Sequence, residues 1–260
     1  MRIVRVESFG TSDRGLRRHH NEDAFLLRDD LGLYVVADGM GGHAAGEVAA
    51  GLAVAEIERI VESTRNAAET TWPDGWDPRL PCDANRLAFA SIQAHRRVTG
   101  AVDADPGLRG MGATVVVALL SSQRDRLTVG HVGDSRAYLF RDGQLQLLTS
   151  DHSWVHEQVV AGLLSEDAAR SHPLKNVVTR ALGGAQEPVA EVREHEIRAG
   201  DLLLLCSDGL NAMIEDDEVA EILRRRRPDL RVMAQELVNE ANRRGGVDNI
   251  TIVLVRFLAE

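Results

Sequence analysis

The sequence has little of what secreted or membrane-embedded proteins depend on. Cys82 and Cys206 are its only two cysteines in 260 residues, which excludes a disulfide framework. The longest apolar runs, such as LLLLC at 202–206, are too short to cross a bilayer. No charged-then-apolar leader opens the chain, so we expect a soluble protein of a reducing cytoplasm.

An excess of basic residues is also absent. Forty acidic side chains against thirty basic ones leave a formal net charge of −10, which argues against binding to a nucleic-acid backbone. The GMGG run at 39–42 lacks the G-K-[ST] ending of a P-loop and does not fit G-x-G-x-x-G, so a nucleotide-binding module is disfavoured. No pair of cysteines or histidines has the spacing of a zinc site.

Apolar runs with the composition of strands occur among helical blocks. Strands are predicted at 3–9, 31–37, 113–120, 126–132, 136–140, 201–207 and 249–257. Helical periodicity covers 44–62, 84–99, 152–170, 216–226 and 229–243. The RDGQ turn at 141–144 predicts a hairpin. This pattern favours an α+β or layered-sandwich architecture with antiparallel sheets over a doubly wound parallel sheet.

Aspartates recur where the predicted strands meet turns. Asp38, Asp134 and Asp208 each follow an apolar strand and precede a small residue, and Asp248 comes just before the last strand. A single Asp-Gly pair is often only a turn. Four such carboxylates at one sheet edge would instead repel each other and raise each other's pKa unless cations held them ionised.

Divalent metal ions supply that positive charge. All the candidate ligands are oxygens, so the ions are expected to be Mg²⁺ or Mn²⁺. Two such ions about 3.5 to 4 Å apart can share a water, lower its pKa and direct it at a phosphorus atom, which indicates a phosphate ester hydrolase. Gly39 has no Cβ, so the carbonyl after Asp38 can approach a metal directly.

An ordered series of motifs runs along the chain: RRHHNEDAF (17–25), ADGMGGHAAGEVA (37–49), GMGATVVVAL (110–119), VGDSRAYLFRDG (132–143), LTSDHSWV (148–155), NVVTRALGG (176–184), CSDGL (206–210) and GGVDNITIVLV (245–255). Together these motifs resemble those of the metal-dependent Ser/Thr protein phosphatases, the PPM or protein phosphatase 2C family, in its bacterial form. They span nearly the whole chain, so residues 1–260 are expected to form one catalytic domain. The resemblance implies a four-layer α-β-β-α sandwich of two antiparallel sheets, with a two-metal site at one edge.

The resemblance also implies a role for each metal ligand. By motif position, Asp38 bridges both ions, Asp23 and the Gly39 carbonyl hold the second ion, and Asp208 and Asp248 hold the first. A bridging water or hydroxide would then attack the phosphate directly.

The same resemblance implies a third, more weakly bound ion. Asp134 of the GDSR motif matches the acid that supports this ion together with Asp208 in bacterial members. The choice between Mn²⁺ and Mg²⁺ is left open by the sequence.

Three further residues are candidates for contact with the substrate. Arg18 matches the arginine that grips the phosphate, although the neighbouring Arg17 leaves an ambiguity of one residue and Arg18 could be a plain surface charge. His43 is a candidate general acid, or alternatively a helix cap or turn spacer. His172 falls in the segment that resembles the flap of bacterial members and is a candidate for substrate binding.

The resemblance implies phosphorylated proteins as substrates and a cognate Ser/Thr kinase as the opposing enzyme, with neither nucleic acid nor membrane as a partner. Two alternatives stay open: a non-catalytic phosphoprotein-binding pseudophosphatase, and a phosphatase of anti-sigma antagonist proteins. Every mapped ligand position carries its expected residue, which a degenerate member would not require.

Overall fold

The computed structural model describes residues 3–41, 44–65, 76–225 and 229–259. The strands in these ranges are β1 (Ile3–Asp13), β2 (Asp23–Arg28), β3 (Leu33–Met40), β4 (Gly112–Leu120), β5 (Arg126–Val132), β6 (Arg136–Arg141), β7 (Gln144–Leu147), β8 (Glu191–Glu196), β9 (Leu202–Cys206) and β10 (Ile250–Ala259). The helices are α1 (Ala44–Ser63), α2 (Cys82–Ala104), α3 (Trp154–Val160), α4 (Glu166–Ser171), α5 (Asp208–Asn211), α6 (Asp216–Arg224) and α7 (Leu230–Arg243). None of the helices within the described ranges is both long and apolar enough to cross a membrane.

The strands form two five-stranded antiparallel sheets. The first sheet has the order β1-β10-β9-β6-β7, and the second has the order β2-β3-β4-β5-β8. Chain neighbours β2 to β5 pair in sequence, whereas β10 inserts between β1 and β9 and so brings the two ends of the chain into one sheet.

Alternation of side chains along each strand builds three apolar layers. Along β3, Tyr34 and Val36 pack between the two sheets, whereas Val35 and Ala37 pack beneath α1 and α2. Along β9, alternate leucines face the other sheet or the helices α6 and α7. Strands with both faces covered appear as continuous apolar runs, which explains why LLLLC is a strand rather than a helix.

The architecture is the expected four-layer α-β-β-α sandwich. Helices α1 and α2 cover the second sheet, and α6 and α7 cover the first. The hairpin predicted at 141–144 joins β6 and β7, with Asp142 and Gly143 both at positive φ, 52° and 82°, as a type I′ turn requires.

Some elements differ from the sequence prediction. The strands β2, β7 and β8 were not predicted; β8 carries the polar sequence EVREHE and pairs with β5 alone. The block predicted as one helix at 152–170 is wrong, because the chain forms two short helices instead. They are separated at Gly162, whose φ of 73° is incompatible with a continuous right-handed helix.

A buried ion pair secures the end of β6. Asp201 has only 2% of its side chain exposed, and Arg141 donates to its two oxygens from Nε at 2.8 Å and from Nη2 at 2.5 Å. The backbone N–H of Arg198 donates to the same carboxylate at 2.8 Å.

We expect Arg141→Ala to lower the free energy of unfolding by about 3 kcal/mol, because it leaves the Asp201 carboxylate buried without a cation. Urea unfolding followed by circular dichroism measures the change. The matched control is Arg198→Ala, which removes the exposed pair with Asp142 and should cost less than about 1 kcal/mol. Equal losses in the two variants would contradict the prediction.

Candidate active site

Five carboxylates gather at one edge of the sandwich. Asp23 on β2 lies directly opposite Asp38 on β3. Asp134 follows β5, Asp208 begins α5 immediately beyond the end of β9, and Asp248 comes just before β10. Burial, and then the negative charges of the other four, raise the pKa of Asp38 well above its ordinary range. The structure therefore brings together all five aspartates that the sequence singled out.

The prediction that Asp38 ends its strand is wrong by two residues. Gly39 and Met40 continue β3 and pair with β4. A Cβ at residue 39 would lie 2.1 Å from the carbonyl oxygen of Gly46 and 2.5 Å from that of Glu22. Glycine at this position therefore allows α1 and the residue before β2 to pack against the strand next to Asp38.

Asp23 is held by two hydroxyl groups from the opposite sheet. Its Oδ2 accepts hydrogen bonds from Ser207 Oγ at 2.8 Å and from Thr251 Oγ1 at 2.6 Å. Its Oδ1 is buried and has no hydrogen-bond partner within the described ranges. Burial raises the pKa of Asp23 to about 7 although the hydrogen bonds from Thr251 and Ser207 lower it, and the charges of Asp208 and Asp248 add a smaller increase. A buried oxygen in this state calls for a proton or a cation.

Asp208 carries a second oxygen of this kind. Its Oδ1 is also buried and without a partner in the part of the chain that the structure describes. Burial and the charge of Asp248 raise the pKa of Asp208 to about 6. A Cβ on the following Gly209 would lie 2.0 Å from the carbonyl oxygen of Asn249, so glycine is needed where this turn packs on the start of β10.

Asp134 sits on a turn that His152 holds from both sides. The backbone N–H of Gly133 donates to His152 Nδ1 at 3.1 Å, and the backbone N–H of His152 donates to the Gly133 carbonyl at 3.0 Å. Burial, followed by the charges of Asp208 and Asp151, raises the pKa of Asp134 to about 7. The DHS motif thus supports the GDSR turn, a role that the sequence did not suggest.

A histidine-containing group near this turn does not make a metal site. The ligand atoms of His131, His152 and Glu191 all lie within 4.8 Å of one another. However, Gly133 already occupies Nδ1 of His152, and the Arg180 guanidinium lies 3.3 Å from its Nε2. Because neither nitrogen of His152 is left for a cation, we assign the group a structural role.

Arg18 contacts the carboxylate cluster directly. Its Nη2 donates to Asp248 Oδ2 at 2.6 Å, while the backbone N–H of Asn249 donates to Oδ1 at 2.8 Å. The Arg18 side chain is 52% exposed, so its guanidinium reaches the cluster from the solvent side. Within the described ranges Arg17 makes no such contact; its backbone N–H donates to the carbonyl oxygen of Gly246.

Asn249 fastens the loop that carries Arg18. Its Nδ2 donates to the carbonyl oxygens of Arg14 and His20, each at 2.9 Å, and its Oδ1 accepts from the backbone N–H of Glu22 at 2.8 Å. Sequence reasoning quoted this residue within GGVDNITIVLV but gave it no function. No local sequence signal could have found this role, because the loop that Asn249 binds lies 229 to 235 residues away in the chain.

Of the two histidines predicted to contact substrate, the structure describes only His172. His43 and the preceding Gly42 lie outside the described residues. His172 follows α4, stacks against Trp154 with ring centroids 4.9 Å apart, and accepts a hydrogen bond at Nδ1 from the backbone N–H of Leu174. No contact within the described ranges joins His172 to the five aspartates.

Comparison with known proteins assigns the chain to a family. A family model described as protein phosphatase 2C matches residues 6–250. The serine/threonine phosphatase stp of Listeria monocytogenes serovar 1/2a is 36% identical over 247 residues, which cover 94% of this chain and 93% of that protein. The chain therefore belongs to the protein phosphatase 2C family.

Solved structures agree with this assignment. The serine/threonine phosphatase PstP/Ppp of Mycobacterium tuberculosis matches with a TM-score of 0.85 and 35% identity over 98% of this chain and 99% of that one. The catalytic domain of PstP in complex with two manganese ions matches with a TM-score of 0.81 and 34% identity, again over 98% and 99% of the two chains. The predicted fold class is confirmed.

The metal-free protein should lose stability as the pH rises. Asp23, Asp134 and Asp208 have a higher pKa when folded than when unfolded, so the folded state binds protons more tightly and is favoured at low pH. We expect the free energy of unfolding in EDTA to fall between about pH 4 and about pH 7 and then to level off.

Asp38→Asn removes one of the repelling charges. This variant should therefore be more stable than the wild type near pH 8 in EDTA, by on the order of 2 kcal/mol, and should show a shallower pH dependence. Asp142→Asn, at a side chain that is 81% exposed, is the control and should leave the slope unchanged. Stability that rises with pH in the wild type would contradict the prediction.

Proposed function

We propose that the five aspartates bind two divalent cations, and that this site hydrolyses phosphoserine and phosphothreonine on proteins. As a member of its family, the chain is a serine/threonine protein phosphatase whose substrates are phosphorylated proteins. The observation that carries the proposal is a pair of buried oxygens, Asp23 Oδ1 and Asp208 Oδ1, that have no hydrogen-bond partner among the described residues; the pKa of each carboxyl is raised by burial and then by neighbouring carboxylates.

The donor set fits hard cations. Carboxylate oxygens and a backbone carbonyl are ligands for Mn²⁺ or Mg²⁺, and two manganese ions are bound to the PstP catalytic domain named above. We assign Asp38 as the bridging ligand, Asp23 and the Gly39 carbonyl to the second ion, and Asp208 and Asp248 to the first. The hydroxyls that hold Asp23 Oδ2 leave its Oδ1 for the metal.

A third, weaker ion is proposed beside Asp134 and Asp208. The two carboxylates are close enough for the charge of Asp208 to raise the pKa of Asp134. The support of the Asp134 turn by His152 would keep this carboxylate aimed into the cluster.

When bound, the cations supply positive charge for the phosphate and lower the pKa of a water. The residues of the chain then bind and orient the substrate. Arg18 approaches the cluster from solvent and is assigned to the phosphate, for which its fork of donors is suited. Cys206 is excluded as a phosphate acceptor, because burial raises the pKa of its thiol to about 12.

Several finer assignments stay proposals. His43 is assigned as the general acid for the leaving oxygen, and His172 as a substrate contact. A Ser/Thr kinase is the expected source of the phosphorylated substrates, and a cytoplasmic location stays a prediction. We propose that residues 1–260 are one catalytic domain. A pseudophosphatase is not favoured, since all five carboxylates and Arg18 are present in one cluster.

Activity should depend strictly on metal. Turnover of a phosphothreonine peptide and of p-nitrophenyl phosphate should fall to background in EDTA and return with Mn²⁺, because no protein nucleophile is assigned in the site. Asp208→Asn should abolish both turnover and the rise in melting temperature that Mn²⁺ produces in the wild type. Asp142→Asn is the control. Full activity after exhaustive chelation would refute the proposed function.

Arg18→Ala should weaken the binding of every phosphate substrate. We expect the KM to rise and kcat/KM to fall about 30- to 1000-fold, which corresponds to 2 to 4 kcal/mol, because the variant loses a charged contact with the phosphate. Arg18→Lys should recover only part of the loss, since an ammonium lacks the bidentate fork. Full recovery in the lysine variant would show that only charge at this position matters.

A further inference from the structure

The loop at residues 14–20, here called the basic loop, is a positively charged surface on an acidic protein. Its sequence RGLRRHH contains three arginines, two histidines and no acidic residue, whereas the whole chain has a net charge of −10. All its side chains are exposed, and only Gly15 is buried. A local charge opposite to that of the whole molecule attracts anionic partners to one place.

The basic loop is rigidly built. Asn249 binds the carbonyls of Arg14 and His20, and the backbone N–H groups of residues 16 and 17 both donate to the carbonyl of Gly246, at 2.7 and 3.2 Å. Gly15 has a φ of 74°, and a Cβ there would lie 2.1 Å from the carbonyl oxygen of Asp248. Because these bonds order the loop in advance, binding to it costs little conformational entropy.

Two of its arginines have no anionic partner within the described ranges. Arg14 donates only to the carbonyl of His19, at 3.5 Å, and Arg17 makes no ion pair. Their neighbours Arg243 and Arg244 differ, since both pair with Glu240 and Arg244 also pairs with Glu218. The positive charge of Arg14 and Arg17 is therefore available to an external anion.

The position of the basic loop relates it to the substrate. Arg18, which follows these residues, already reaches the carboxylate cluster at Asp248. Leu16 is 65% exposed and lies against Gly246, and the next residue, Val247, is 46% exposed, so exposed apolar side chains occur close to the arginines. Because Arg14 and Arg17 share this short loop with Arg18, residues that flank a phosphate at Arg18 would lie within reach of their side chains.

We propose that the basic loop is a docking surface for acidic side chains that flank the phosphorylated residue of a substrate protein. The proposal rests on the proposed function and defines its substrate class as phosphoserine or phosphothreonine in an acidic segment. An acidic protein segment is favoured over nucleic acid, because the surrounding chain carries excess negative charge that would repel a long polyanion.

The test compares phosphothreonine peptides of equal length with glutamate, glutamine or lysine as flanking residues. The Mn²⁺-loaded wild type should hydrolyse the glutamate peptide with a kcat/KM about three- to tenfold above the glutamine peptide, and the lysine peptide more slowly still. The preference should shrink at high salt, as expected for exposed charges.

Variants of the basic loop test whether it causes the preference for the glutamate peptide. The double variant Arg14→Ala/Arg17→Ala should lose it, and Arg17→Glu should shift it towards the lysine peptide. The control Arg97→Ala removes an exposed arginine on the outer helix α2 and should keep the wild-type preference. Turnover of p-nitrophenyl phosphate, which has no flanking residues, should be unchanged in all of them.

Three results would contradict the docking proposal. A wild type without preference for the glutamate peptide, or a double variant that keeps the preference, would show that the basic loop does not dock substrate. Loss of p-nitrophenyl phosphate turnover in the double variant would place these arginines on the phosphate itself. A wild type inactive on every substrate would instead refute the proposed function.

Discussion

Repulsion among five clustered carboxylates is the constraint that organises this molecule. Burial raises the pKa of Asp23, Asp38, Asp134 and Asp208, and neighbouring carboxylates raise it further, so this edge of the sandwich forms despite unfavourable electrostatics. The two apolar layers under the helices and the one between the sheets supply the stabilisation that permits this arrangement. Such a cluster makes physical sense in a folded chain where cations neutralise it.

Each of the two sheets supplies different residues of the site, so the site forms only when the sheets pack together. The second sheet supplies Asp23 and Asp38 as a cross-strand pair, and their separation is set by the register of β2 and β3. The first sheet supplies Asp208 and Asp248, together with the hydroxyls of Ser207 and Thr251 that cross to Asp23. The hydrogen bonds from Ser207 and Thr251 to Asp23 therefore depend on how the two sheets are placed relative to each other.

The sequence predicted the layers and the acidic edge because both have local signals. Apolar runs marked the buried strands, and strand boundaries marked four of the five carboxylates, only two of which lie in Asp-Gly pairs. It did not predict β8, whose polar residues pair with only one neighbour, or the break at Gly162, where a single positive φ overrides helical periodicity. The contacts of Asn249 with Arg14 and His20 join residues 229 to 235 positions apart, and no local pattern reports such a pairing.

The partner of Arg18 links the charge of the cluster to the substrate. In this structure the guanidinium neutralises part of Asp248, which we also assign to a metal ion. Its side chain is half exposed, so exchanging one anionic partner for another costs little free energy. Cations bound by Asp248 and by the neighbouring Asp208 and Asp38 would satisfy these carboxylates and free the guanidinium to bind a phosphate. The arginine would then become available for substrate when the cations that the reaction needs are bound.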